Sequence, residues 1–218
     1  LEGVKIYDAR EVNTPYGSPS STLSFGNFGD KEIIFLHRHG SPHLIPPHKV
    51  NYRANIHALK ENDVKNIIAV NAVGGITSEM SPGRIVIPEQ IIDYTHDRNQ
   101  TFYENNLNKV THIDFTNPYS AVLREQLTKP SVISELNIFV GGVYAATQGP
   151  RLETAAEIRR LEKDGCDIVG MTGMPETALA RELDIHYVCL ALVVNWAAGK
   201  TDEEITTAII EKHLKDGL

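Results

Sequence analysis

The side chains in this sequence with the chemistry to hold a ligand sit where apolar strand-like runs end. His37-Arg38-His39-Gly40-Ser41-Pro42-His43, with His48 beyond Pro46-Pro47, sets an arginine and histidines beside a glycine. That combination suits an oxyanion such as phosphate. Several histidines also suit zinc, but no cysteine or carboxylate stands at ligand spacing, and any one of them could be solvated loop. Glu153 closes Thr147-Gln148-Gly149-Pro150-Arg151-Leu152-Glu153, where a Gly-Pro turn hands a strand over to a helix. It can accept hydrogen bonds from ring N–H groups of a ligand, or complement the positive end of the helix that follows. In Gly170-Met171-Thr172-Gly173-Met174-Pro175-Glu176, Thr172 can bind an anion ahead of a helix N-terminus or cap that helix. Met171 offers adaptable apolar surface, beneath a sugar or within a core. Asn195 ends an apolar strand with an amide that donates and accepts at once, which suits a purine edge or a turn.

The elements that must position these groups alternate along the chain. Glu32–Leu36 and Asn66–Val70 read as strands, the second ending in Asn71-Ala72-Val73-Gly74-Gly75. The glycines there allow close backbone approach, and the amides could help hold an anion. They are not a dinucleotide fingerprint, because no third glycine opens a helix. Ile138–Tyr144, Asp167–Met171 and Tyr187–Val194 read as further strands. Helices are expected over Val50–Asn62, Thr154–Lys163, Pro175–Leu183 and Thr201–Lys215, with Pro175 suited to a first helical turn. Near-continuous apolar strands separated by helices argue an α/β fold with a mixed, twisted sheet covered by helices on both faces. Loops at the carboxyl ends of such strands are where these sheets build ligand sites.

With 218 residues, 41% of them hydrophobic and 22% charged, the chain has the material for one α/β domain with a sizeable core. A net charge of −7 argues against a nucleic-acid or anionic-membrane surface. No apolar run approaches the roughly 20 residues of a membrane span, and Leu1–Arg10 does not read as a signal peptide. Cys166 and Cys189 have no ligand-like partners nearby and read as reduced cytosolic thiols.

Together, Arg38-His39-Gly40, Val50-Asn51-Tyr52-Arg53-Ala54-Asn55, Asn71-Ala72-Val73-Gly74-Gly75, Gln148–Glu153 and Met171–Glu176 occur in an order and spacing that resembles the trimeric purine nucleoside phosphorylases. Within them the chain is similar to the methylthioadenosine phosphorylase branch, and closest to the bacterial S-methyl-5'-thioinosine phosphorylases. The resemblance covers nearly the whole chain. It implies a single nucleoside phosphorylase domain over 1–218, a homotrimer with sites at subunit interfaces, and no metal or organic cofactor. It makes Arg38, His39, Thr172 and the backbone of Ala72 phosphate ligands. It also puts Met171 beneath the ribose, and Leu152, Asn71 and His43 among the substrate-binding residues. Glu153 and Asn195 become the purine-reading, catalytic pair. Val110–Asp114 resembles a loop that reaches a neighbouring subunit's site, where His112 would border the 5' substituent.

The sequence departs from that pattern in two places. Adenosine-type members carry an Asp pair where Asn195 and Ala197 stand here, and a small hydroxyl residue where Glu153 stands. Both changes point to hypoxanthine rather than adenine. The family also opens with a strand and a Gly-Gly-Thr-Gly phosphate loop, and ends in a longer helix, neither of which these residues contain. The expected reaction is phosphorolysis of S-methyl-5'-thioinosine to hypoxanthine and 5-methylthioribose 1-phosphate, in purine salvage in the cytoplasm. The alternatives are a general inosine/guanosine or methylthioadenosine phosphorylase, and, from another class, a silent nucleoside-binding protein.

Overall fold

The structure, a computed structural model, describes residues 3–105, 107–130, 137–202, 204–206, 208–210 and 212–213. Its centre is a seven-stranded mixed sheet. The strands are β4 (Asn66–Gly75), β5 (Ile85–Ile87), β6 (Gln90–Asp93), β7 (Ile138–Val140), β8 (Val143–Ala146), β9 (Ile168–Gly170) and β10 (His186–Trp196), in the order β6-β8-β9-β4-β10-β5-β7. β4 and β10 run parallel through the middle, pairing from His186↔Asn66 to Trp196↔Gly75. Val188, Cys189, Ala191 and Val193 of β10 are buried, as a strand covered on both faces requires. A bulge between Val193 and Asn195 shifts the register and re-aims Asn195 at the strand end.

Helices cover both faces. On one, Ile56 of α1 (Tyr52–Glu61) and Leu179 of α4 (Gly173–Glu182) pack in a core with Ala69, Val73 and Cys189. On the other, Ile158 and Leu161 of α3 (Ala155–Lys163) pack against Ala145, Val169 and Ala197. The short α2 (Ala121–Leu127) is capped by Ser120, which accepts from Leu123 N, and buries Leu123 beside Ile87 and Val188.

Several expectations change. Ile138–Tyr144 is two strands, because Gly141 and Gly142 adopt φ of 115° and 88°. Those left-handed values break the run, so β7 pairs with β5 while β8 pairs with β6 and β9. The first expected strand, β3 (Lys31–Phe35), lies outside the main sheet. It joins β1 (Val4–Arg10) and β2 (Leu23–Phe28) in a separate antiparallel sheet, whose Leu23 and Phe25 pack on Ala58 of α1. Asn71–Gly75 continues β4 rather than following it. Gly75 is required there, because a Cβ would stand 1.9 Å from the Met80 carbonyl oxygen. Among the described residues the final helix begins at Ala208 rather than Thr201, with Thr206 Oγ1 accepting from Ile209 N, and Lys215 lies outside them. Among the described residues, the edge of β4 opposite β10 has no strand neighbour over Asn66–Asn71, and on one face of that stretch Ile68 and Val70 are half exposed while Ala69 and Asn71 on the other are buried.

Candidate active site

One cavity of about 770 Å³ is lined by Arg38, His39, His43, Asn71, Ala72, Leu152, Glu153, Met171, Thr172 and Asn195. It brings together every site residue expected from the sequence except His112, which is exposed elsewhere on the chain. The strand arrangement explains the convergence. β8 and β9 are parallel neighbours, so the loops beginning at Thr147 and Met171 leave the sheet at the same end. β9 runs antiparallel to β4, with Val169 opposite Gly74, which turns Met171 and Thr172 back alongside the middle of β4. His48, grouped with the other histidines above, does not line the cavity.

At one end the groups suit an anion. Arg38 Nε and Nη2 donate to the two Glu176 carboxylate oxygens at 2.6 and 2.7 Å, and Tyr187 Oη donates to the same carboxylate at 2.8 Å. Nη1 points towards Val70 O at 3.4 Å, leaving one N–H on each Nη for a ligand. Burial opposes the Arg38 charge, but the Glu176 carboxylate outweighs it and holds the guanidinium pKa above its ordinary range. His39 donates from Nδ1 to Ile45 O at 2.8 Å, which presents Nε2 to the cavity side of the ring. Desolvation, with the neighbouring His43 and Arg38 charges, pushes the His39 pKa below the usual histidine value. His43 stacks on it at 4.3 Å between ring centroids. Thr172 occupies the N-cap position of α4, yet its hydroxyl caps nothing in the helix and is free for a ligand. The amide of buried Asn71 and the Tyr144 hydroxyl near it each lack a partner with hydrogen-bond geometry, an arrangement that proteins rarely leave unfilled.

At the other end the groups suit a heterocycle. The half-buried Glu153 accepts from Thr147 Oγ1 at 2.6 Å, which leaves its second oxygen to the cavity. Glu157, not Glu153, serves the helix N-terminus. It forms a capping box with Thr154 and a bidentate pair with Arg151 at 2.8 and 2.9 Å. Asn195 donates one amide hydrogen to Trp196 O at 2.7 Å, so its other hydrogen and its Oδ1 remain for a ligand. Met171 also lines the cavity and packs on Gly149, where a Cβ would meet its sulfur at 2.4 Å.

Glu176, Tyr187 and Thr147 were not expected in these roles. A carboxylate in the first turn of a helix reads from sequence as a partner of the helix dipole, and nothing local to Glu176 announces an arginine 138 residues away. Thr147, a β-branched residue six positions ahead of a strand-end glutamate, is the one legible signal among them.

Over its full length the chain is 56% identical to a probable S-methyl-5'-thioinosine phosphorylase of Pseudomonas syringae pv. tomato, covering 89% of that protein. It is 48% identical over 200 residues to a 6-oxopurine nucleoside phosphorylase of Pyrococcus furiosus, covering 89% of this chain and 75% of that one. The structure matches methylthioadenosine phosphorylase from Schistosoma mansoni in complex with adenine with a TM-score of 0.94 at 32% identity, over 99% of this chain and 82% of that one. The pattern of one family, the phosphorylase superfamily, spans residues 2–217. The shared pattern and the shared fold both run essentially from end to end, and the chain belongs to the phosphorylase superfamily.

Proposed function

We propose that this chain catalyses phosphorolysis of S-methyl-5'-thioinosine, releasing hypoxanthine and 5-methylthioribose 1-phosphate. The observation that carries the reading is the division of one cavity into an anion end, with Arg38, His39 and Thr172, and a purine end, with Glu153 and Asn195. A phosphate oxygen bonds to the anomeric carbon as the bond from that carbon to purine N9 breaks, and the bonding pair leaves with the base. The sugar passes through a cationic state and the purine gains negative charge. Arg38, the Thr172 hydroxyl and the Ala72 backbone hold phosphate in line. Asn195 donates to the departing purine with a bond that strengthens as charge develops. Glu153 accepts a hydrogen bond from N1–H of a 6-oxopurine, and the proton that the phosphate gives up on bonding to the sugar ends on the released base. Asn71, with its unpartnered amide, and Leu152, at the rim, bound the nucleoside between them.

The choice of the 5'-methylthio nucleoside over inosine rests on the Pseudomonas syringae relative and on His112. The Pyrococcus furiosus relative supports the second reading, a general 6-oxopurine phosphorylase. The chemistry calls for no metal or organic cofactor. Hypoxanthine is expected to appear only when phosphate is supplied, and EDTA to leave the rate unchanged. Equal release without phosphate would make the protein a hydrolase, and a rate lost to EDTA and restored by zinc would demand a metal.

The working unit is a homotrimer with shared sites. Two features support this: His112 lies exposed and away from its own chain's cavity, and its neighbour Val110 is 73% exposed. Mixed preparations of inactive Arg38→Ala and inactive His112→Ala chains are expected to regain activity once subunits exchange. No recovery after confirmed exchange would count against a shared site. The buried free thiols of Cys166 and Cys189 fit a reducing, cytoplasmic setting.

A further inference from the structure

Arg98 lies just beyond β6, which runs parallel to β8 as β8 does to β9, so it emerges at the same end of the sheet as the two loops that carry the site. It is absent from the cavity wall. Its hydrogen bonds go to neutral acceptors, and most of these are main chain. Nη1 donates to Met171 O at 2.8 Å and Met174 O at 2.6 Å, and Nη2 to Gln148 O at 2.8 Å and Thr147 O at 3.3 Å. Nε donates to Gln148 Oε1 at 3.0 Å, and that same oxygen accepts from His96 N at 3.1 Å. Main-chain carbonyls that lie outside the sheet ladder must find donors, and one planar guanidinium supplies them to both loops at once. A lysine, with a single charged centre, cannot span the two.

We propose that Arg98 is a positioning residue for phosphorolysis. It sets the spacing between the loop that presents Glu153 to the purine and the loop that presents Met171 and Thr172 to the sugar and phosphate. The proposal rests on the function given above. It matters because the bond that breaks lies between the groups these two loops hold, and a misplacement of about 1 Å at a reacting centre costs on the order of 100-fold in rate. Each loop keeps its own contacts without Arg98, including the bond from Thr147 to Glu153. Recognition of the free base should therefore survive where alignment for reaction does not.

The test compares the unmutated protein with Arg98→Ala and Arg98→Lys. In Arg98→Ala, kcat is expected to fall about 100-fold while the Kd for hypoxanthine alone shifts less than about threefold. Added guanidinium ion, at millimolar concentration, should recover part of the lost kcat in Arg98→Ala but not in Arg98→Lys. Amide hydrogen exchange should quicken together over residues 147–153 and 171–174. A kcat in Arg98→Ala within about threefold of the unmutated value would overturn the proposal. So would joint loss of kcat and hypoxanthine affinity with no recovery by guanidinium, which would mark Arg98 as a general structural support. If the unmutated protein releases no base, the proposed function fails, and hydrogen exchange still decides Arg98: unchanged exchange in both segments sinks it.

Discussion

Glu153→Gln is expected to lower kcat/KM for methylthioinosine by roughly 10³-fold while changing any reaction of methylthioadenosine far less. A 6-oxopurine presents an N1–H donor and an O6 acceptor, whereas adenine presents a bare N1 and an amino group. The Glu153 carboxylate, held by the Thr147 hydroxyl at 2.6 Å, can accept from N1–H but would face the lone pair of adenine N1. Sites built on buried hydrogen bonds reject a ligand lacking the matching group by about 10⁴-fold. Most of that discrimination should vanish with the carboxylate, because a glutamine can turn either a donor or an acceptor to N1. Asn195→Asp should act from the other side. It replaces the remaining amide donor with an acceptor, which suits a 6-amino group and repels O6. An unchanged ratio of the two nucleosides in Glu153→Gln would mean that the purine meets other residues.

Glu176→Ala is expected to destabilise the fold by about 3–5 kcal/mol, the usual consequence of stranding one member of a buried ion pair. The side chains of Arg38 and Glu176 are only 14% and 7% exposed, and Tyr187 spends its hydroxyl on the same carboxylate. Without Glu176 the largely buried guanidinium keeps its charge and loses its partner. Chemical denaturation measures the loss. Arg38→Met combined with Glu176→Leu should recover most of that stability, because a volume-matched apolar pair removes the stranded charge, yet it should stay inactive for want of the anion ligand. A loss below about 1 kcal/mol in Glu176→Ala would show that solvent or another acceptor already serves Arg38.

Much of the central order, from β4 to β10 with α1, α3 and α4, was legible because local chemistry marks it, while β2, β6 and α2 were not expected. The Gly-Pro turn before Glu153 is a signal written within a few residues. Ile138–Tyr144 misled because an apolar run of strand length hides the conformational freedom of two adjacent glycines. β1 escaped notice because the alternation begun by Val4-Lys5-Ile6 breaks at Tyr7 and Asp8, where the strand's register shifts. At the candidate site, the cavity-lining residues could be picked out by type and by resemblance, since their side chains carry chemistry suited to a ligand. The residues behind them could not. Glu176 and Arg98 act on partners 138 and about 50–75 residues away, and only the sheet topology brings such pairs together.

If one cavity joins phosphate to the sugar of a 6-oxopurine nucleoside, base release must depend both on phosphate and on the 6-oxo group. The most direct measurement is the initial rate of base release by the unmutated protein from methylthioinosine and from methylthioadenosine, each with and without phosphate. Release is expected to depend on phosphate, with a kcat/KM favouring methylthioinosine by on the order of 10³- to 10⁴-fold. Comparable efficiency on the two nucleosides, or release that proceeds without phosphate, would contradict it.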